Sequence, residues 1–157
     1  MELYTVCEEL IEPINLSMIH GMLVLQYRTD IATFYASEDG KTWESKTFNG
    51  LDKNLYDYRL SCHNHIGLLV GSVEIEEVKY LVIYQTLNRN MWYEVRRVRT
   101  DGKVKNIKYI NDICVIWTDL EFLMYLADEW KRYEITDKNL ELRDINYFGS
   151  NFYGLTD

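Results

Sequence analysis

Proline occurs once in this 157-residue chain, and its eight glycines are scattered. None of the glycines forms G-x-G-x-x-G or G-x-x-x-x-G-K-[ST], so no phosphate-cradling loop is encoded. Cysteines number three, Cys7, Cys62 and Cys114, widely spaced and outside any C-x-x-C arrangement; buried, reduced thiols are the expectation. No apolar run reaches the length of a membrane-spanning helix. The N-terminus MELYTVCEEL has neither the basic nor the apolar stretch of a signal peptide, which leads us to expect a cytoplasmic protein or one released by lysis as part of a particle. Basic residues are also scarce. Seventeen Lys and Arg against twenty-five Asp and Glu leave a net charge of −8, which argues against a nucleic-acid surface built on phosphate neutralisation. The densest basic stretch, Arg96-Arg97-Val98-Arg99 with Lys103, Lys105 and Lys108, reads as a solvated face.

What is abundant is apolar and aromatic. Apolar residues make up 47% of the chain and aromatics 14%, with thirteen Tyr and four Trp, enough for a single packed domain. Rings and branched side chains in this proportion favour β-structure.

The chain repeats itself. Tyr35-Ala36-Ser37-Glu38-Asp39-Gly40-Lys41-Thr42-Trp43 aligns without a gap on Tyr84-Gln85-Thr86-Leu87-Asn88-Arg89-Asn90-Met91-Trp92. A Tyr, a hydroxyl residue, an Asp or Asn and a Trp recur at the same offsets. Upstream, Leu16–Leu25, Leu60–Leu69 and Ile107–Ile116 each read as a short strand, a polar pair suited to a tight turn and an apolar strand. Their starts at 16, 60 and 107 give a spacing of about 45 residues. Each unit divides into four strands: Leu16–Ile19, Met22–Arg28, Ile31–Ser37 and Trp43–Phe48; then Tyr58–His63, Ile66–Val73, Val78–Gln85 and Trp92–Val98; then Asn106–Ile110, Ile113–Thr118, Glu121–Ala127 and Trp130–Thr136. In the third unit Thr118-Asp119-Leu120-Glu121, followed by Leu123, Met124, Ala127 and Trp130, also suits a capped amphipathic helix. Repeat register favours strands there.

Ser37-x-Asp39-Gly40-x-Thr42-Trp43 resembles the Asp box of sialidase-like β-propellers (the BNR repeat) in a shorter form, and Thr86-x-Asn88…Trp92 resembles a degenerate copy. The resemblance implies an all-β fold: a β-propeller-like array of about three complete four-stranded antiparallel blades, at 13–48, 58–98 and 104–136. The chain ends, 1–12 and 140–157, would supply a partial fourth unit as closure strands, from Leu3–Leu10, Leu142–Ile145 and Phe152–Leu155. It also implies structural roles for Ser37, Asp39, Gly40, Trp43, Thr86, Asn88 and Trp92: Asp or Asn closes the turn, Gly40 reverses the chain, and the Trp packs between blades. Tyr35, Tyr84 and Tyr125 recur at one position and are expected in the packing.

No catalytic residue stands out. The family's arginine trio and its nucleophile pair have no recognisable counterpart. Glu74, Glu76 and Glu77 alternate with Val and Ile, as on an exposed hairpin, and a glycosidase would need two carboxylates facing one cleft. Cys62-His63-Asn64-His65 is the one metal-like cluster, yet the repeat places Asn64-His65 in a turn and supplies no third ligand. No metal or cofactor is expected. The C-terminal Tyr147, Phe148, Asn151, Phe152 and Tyr153 form the candidate binding surface, since aromatic-plus-Asn surfaces suit protein or glycan recognition. The leading expectation is a non-enzymatic protein-interaction module, such as a component of a bacterial or phage assembly, with a homodimer as one way to complete a ring. A carbohydrate-binding module is the alternative; an acidic inhibitor occupying a basic partner's nucleic-acid site is another.

Overall fold

The computed structural model describes residues 14–27, 33–63, 65–126, 129–137 and 139–156. Fourteen strands and no helix occur among them. The first sheet holds β1 (Asn15–Ile19), β2 (Met22–Gln26), β3 (Thr33–Ser37) and β4 (Glu44–Thr47); the second holds β5 (Tyr56–His63), β6 (Ile66–Ile75), β7 (Val78–Thr86) and β8 (Tyr93–Arg99). The third contains β9 (Val104–Ile110), β10 (Ile113–Thr118), β11 (Glu121–Leu126) and β12 (Glu129–Glu134), and a hairpin of β13 (Leu142–Phe148) and β14 (Asn151–Thr156) follows. Each sheet is an antiparallel meander in chain order. The expected units therefore appear as three four-stranded sheets and one two-stranded one.

The sheets pack in series. β1 lies against β5, β5 against β9, and β9 against β13. Among the described residues no extensive packing of β13 against β1 closes the series. The expected outer strand Leu3–Leu10 lies outside the described residues.

Period-two alternation explains how one strand serves two seams, because successive side chains point to opposite faces. On β6, Leu69 and Val73 join the cluster shared with the first sheet, while Leu68 and Val70 join the cluster shared with the third. Likewise Val82 and Tyr84 of β7 face one way, Leu81 and Ile83 the other. On β10, Cys114 and Ile116 look back toward the second sheet, whereas Val115 and Trp117 look toward the hairpin and Ile145. These strands are buried on both faces and so read as unbroken apolar runs. Each fully buried Leu, Ile or Val contributes about 1.5–3 kcal/mol of transfer free energy.

The connections follow local chemistry. His20 and Gly21 (φ 47° and 75°), Glu76 and Glu77 (49° and 64°) and Asn111 and Asp112 (48° and 64°) are consecutive positive-φ pairs, the geometry that matches strand twist in two-residue hairpins. At 118–121 the side-chain pattern of a helix cap is present, but in a turn. Thr118 Oγ1 accepts from the N–H groups of Leu120 and Glu121, both at 3.1 Å. These are the bonds a capping hydroxyl makes. The chain then enters β11, where Leu123 and Met124 reach two different seams and a helix would serve only one.

Two details depart from expectation. Trp43 and Trp92 precede their fourth strands rather than opening them, because the Asx turn ahead of each ends just before the ladder begins. Of the recurring tyrosines, Tyr84 is buried, Tyr35 half-buried and Tyr125 exposed, its ring centroid 5.1 Å from that of its cross-strand neighbour Trp130.

Candidate interaction surface

The turns at 37–42 and 86–91 share one pair of backbone-to-side-chain hydrogen bonds. Asp39 Oδ1 accepts from the N–H groups of Lys41 and Thr42 at 2.8 and 2.7 Å; Asn88 Oδ1 accepts from those of Asn90 and Met91 at 2.9 and 3.0 Å. Ser37 Oγ accepts the Gly40 N–H at 2.9 Å, and Gly40 has φ +74°. Thr86 Oγ1 accepts from Asn88 N at 3.3 Å and donates to the Met91 carbonyl at 2.6 Å. The N–H donors of Thr42 and Lys41 hold the Asp39 carboxyl down to about 2, since they bond best to the charged form. Asn88 accepts the same pair of bonds without any charge.

The tryptophans differ. Trp92 is buried, meets Phe48 edge-on at 5.5 Å, and donates its backbone N–H to Asn49 O at 2.9 Å, across the seam between the first two sheets. Gly50 (φ +89°) lies so close that a Cβ there would sit 2.3 Å from the Trp92 carbonyl oxygen. Trp43 is half-buried, and its Nε1 has no partner among the described residues.

Other polar groups serve the scaffold. The Arg89 guanidinium crosses from the second sheet to the first, donating to the His20 carbonyl (3.0 Å from Nε) and to Glu38 Oε1 at 2.5 Å. Glu121 is buried, accepting from Thr100 Oγ1 at 2.5 Å and from Arg132 Nη2 at 2.8 Å. Sequence reasoning missed both. A Glu opening an apolar strand is a signal, but its partners lie 21 and 11 residues away and are set by strand pairing. Burial pushes the Cys62 and Cys114 thiols up to about 12, which favours the neutral thiol over the nucleophilic thiolate near pH 7; Cys7 lies outside the described residues. Glu74, Glu76 and Glu77 are exposed at the β6–β7 turn. The His20 and His65 rings stack at 5.5 Å, and among the described residues no three His, Cys, Asp or Glu side chains gather as metal ligands.

The C-terminal hairpin is built differently. Ile145, Tyr147 and Phe152 face the third sheet, with the Tyr147 and Phe152 rings 4.9 Å apart. Of the five candidate binding residues, then, two are turned partly inward. Phe148 is 80% exposed, Tyr153 54%, and Asn151 is also exposed. Cross-strand pairing puts Phe148 opposite Asn151 and Tyr153 opposite Asn146, on the face away from the third sheet. Beside the hairpin runs a groove of about 530 Å³ whose apolar wall includes Phe122, Leu140, Leu142, Ile145 and Phe152.

β14 also lacks the protection of the other outer strands. β4 carries Glu44 and Lys46; β8 carries Glu94, Arg96, Arg97 and Arg99; β12 carries Glu129, Lys131, Arg132 and Glu134. Charges on an edge discourage another strand from pairing there. β14, Asn-Phe-Tyr-Gly-Leu-Thr, has none. No protein-family model matches this chain, and no curated protein matches it in sequence.

Proposed function

We propose that this protein is a non-enzymatic interaction module, a propeller-like array in which the three complete sheets are scaffold and the C-terminal hairpin is the contact surface. The observation that carries the reading is the hairpin's outward face, where Phe148 and Tyr153 are exposed beside an uncharged edge strand and an apolar groove. Exposed apolar surface of this kind marks sites that bind another macromolecule. Placing a photo-crosslinking amino acid at Phe148 tests it, with a control at Glu76 on the β6–β7 turn. A discrete protein adduct from position 148 alone is the expected result. Equal labelling at both positions, or none at either, would overturn the reading.

Glycan binding is the second reading, favoured by Asn146 and Asn151, which lie across the strands from Tyr153 and Phe148. An aromatic platform flanked by amides suits a sugar face. Retention on a glycan array, lost in Tyr153→Ala, would select this reading over the first.

A further inference from the structure

Among the described residues the series of sheets has two unpartnered ends, and each exposes large apolar side chains. In β1, Asn15 and Ile19 point toward the second sheet: the Asn15 amide donates to the Leu60 carbonyl, and Ile19 joins the shared core. The alternate residues Ile14, Leu16 and Met18 therefore point the other way, and Leu16 and Met18 are 59% and 63% exposed. At the far end, Phe148, Tyr153 and Leu155 occupy the hairpin face turned away from the third sheet. Between these ends every junction is of one kind, a first strand packed on the next first strand across an apolar seam. A stacked array of this type needs polar outer faces to remain as separate chains in water. Among the described residues the first end presents Ile14, Leu16 and Met18, and at the hairpin Phe148, Tyr153 and Leu155 stand across the strands from Asn151, Asn146 and Asp144, so that large apolar side chains remain in water at both ends.

We infer that the two ends are the halves of one further seam, made between copies of this chain: the Ile14–Leu16–Met18 face of one copy receives the Phe148–Tyr153–Leu155 face of another. This rests on the hairpin being the contact surface. Each face is poor in charge, so two chains of net charge −8 meet without like charges opposed. On β1 that face is Ile14, Leu16 and Met18, none of them charged. The acidic group on the hairpin's outward face, Asp144, is held by Lys108 Nζ at 2.9 Å. Because the two faces differ, the contact is head-to-tail, and association continues until a ring closes.

Sedimentation velocity of the full chain tests the inference, the expected species being two or more 18.8 kDa chains. One variant blocks the first end (Leu16→Lys with Met18→Lys), and another blocks the second (Tyr153→Lys with Leu155→Lys). Each is expected to run as a monomer, with association at least tenfold weaker, and an equimolar mixture is expected to associate again because each variant keeps the face the other lost. If a lysine variant fails to fold, judged by its melting curve, serine at the same positions gives the same readout. A wild-type chain that remains monomeric at every concentration overturns the inference. So does a blocked variant that still self-associates, which would mean like faces pairing. A Met18→Cys, Leu155→Cys chain whose disulfide forms within one molecule would overturn it too. A monomeric wild type that still yields a foreign protein adduct at position 148 would sink this inference alone and leave the interaction module standing.

Discussion

In the second sheet β6 runs between β5 and β7, and every residue from Gly67 to Val73 is buried. In the hairpin, β14 holds the corresponding place beside its first strand, yet every residue except Phe152 is exposed. Both strands contain large apolar residues and glycine, two glycines in β6 and one in β14. They differ in what lies beyond them: β6 has a third strand at its edge and a sheet on each face, whereas among the described residues β14 has neither a third strand nor a sheet on its outer face. Burial here is a property of the neighbours a strand acquires. The same comparison separates the scaffold from the proposed contact surface, because a strand already satisfied on all sides has nothing left to offer a partner.

Truncating the seam of the complete sheets should have the largest effect. Trp92→Ala removes a buried ring lodged against Phe48 and is expected to cost about 3–5 kcal/mol in urea unfolding. Next comes the buried carboxylate in the third sheet. Arg132→Met strips Glu121 of its guanidinium and leaves Thr100 as its remaining side-chain donor, an expected loss of about 1–3 kcal/mol by the same measurement. Restoring full stability with Glu121→Gln in that background would identify the uncompensated charge as the cause.

A smaller effect, dependent on pH, should distinguish the turn closed by Asp39 from the turn closed by Asn88. Asp39 titrates near 2 in the folded protein and near 4 when unfolded. Its charge therefore stabilises the fold above about pH 4, and that contribution disappears as pH falls toward 2. Thermal melts of wild type and Asp39→Asn should thus converge in acid and separate at neutral pH, while Asp39→Ala melts lowest of the three at neutral pH. A gap between wild type and Asp39→Asn that does not narrow on acidification would contradict the role assigned to the charge. The smallest effect belongs to the hairpin. Leu155→Ala, at a position 63% exposed, should change chain stability by no more than about 0.5 kcal/mol, measured on dilute protein.

Much of this architecture was legible because repetition made weak local signals reinforce one another. The turns at His20-Gly21 and Asn111-Asp112 and the equivalence of Asp39 with Asn88 were each evident from residue type and spacing. At 118–134 local propensity and repeat register disagreed. Register prevailed because Leu123 and Met124 are needed in opposite seams. The Glu121–Arg132–Thr100 cluster and the Arg89 bridge to the first sheet were not legible, since spatial proximity between separate strands leaves no local pattern. Within the hairpin, composition singled out Tyr147, Phe148, Asn151, Phe152 and Tyr153 together. Only strand pairing divided them into an inward pair and an outward set.

Sequence alone determined that the chain is all-β, that it repeats about every 45 residues, and where its turns lie, because alternation and turn chemistry act over a few residues at a time. Tertiary structure decided which aromatic rings seal seams and which remain in water. It also decided that, among the described residues, the last sheet has two strands and that large apolar side chains stay exposed at both ends of the series. Those features depend on the presence or absence of a neighbouring sheet, which no short stretch of residues specifies.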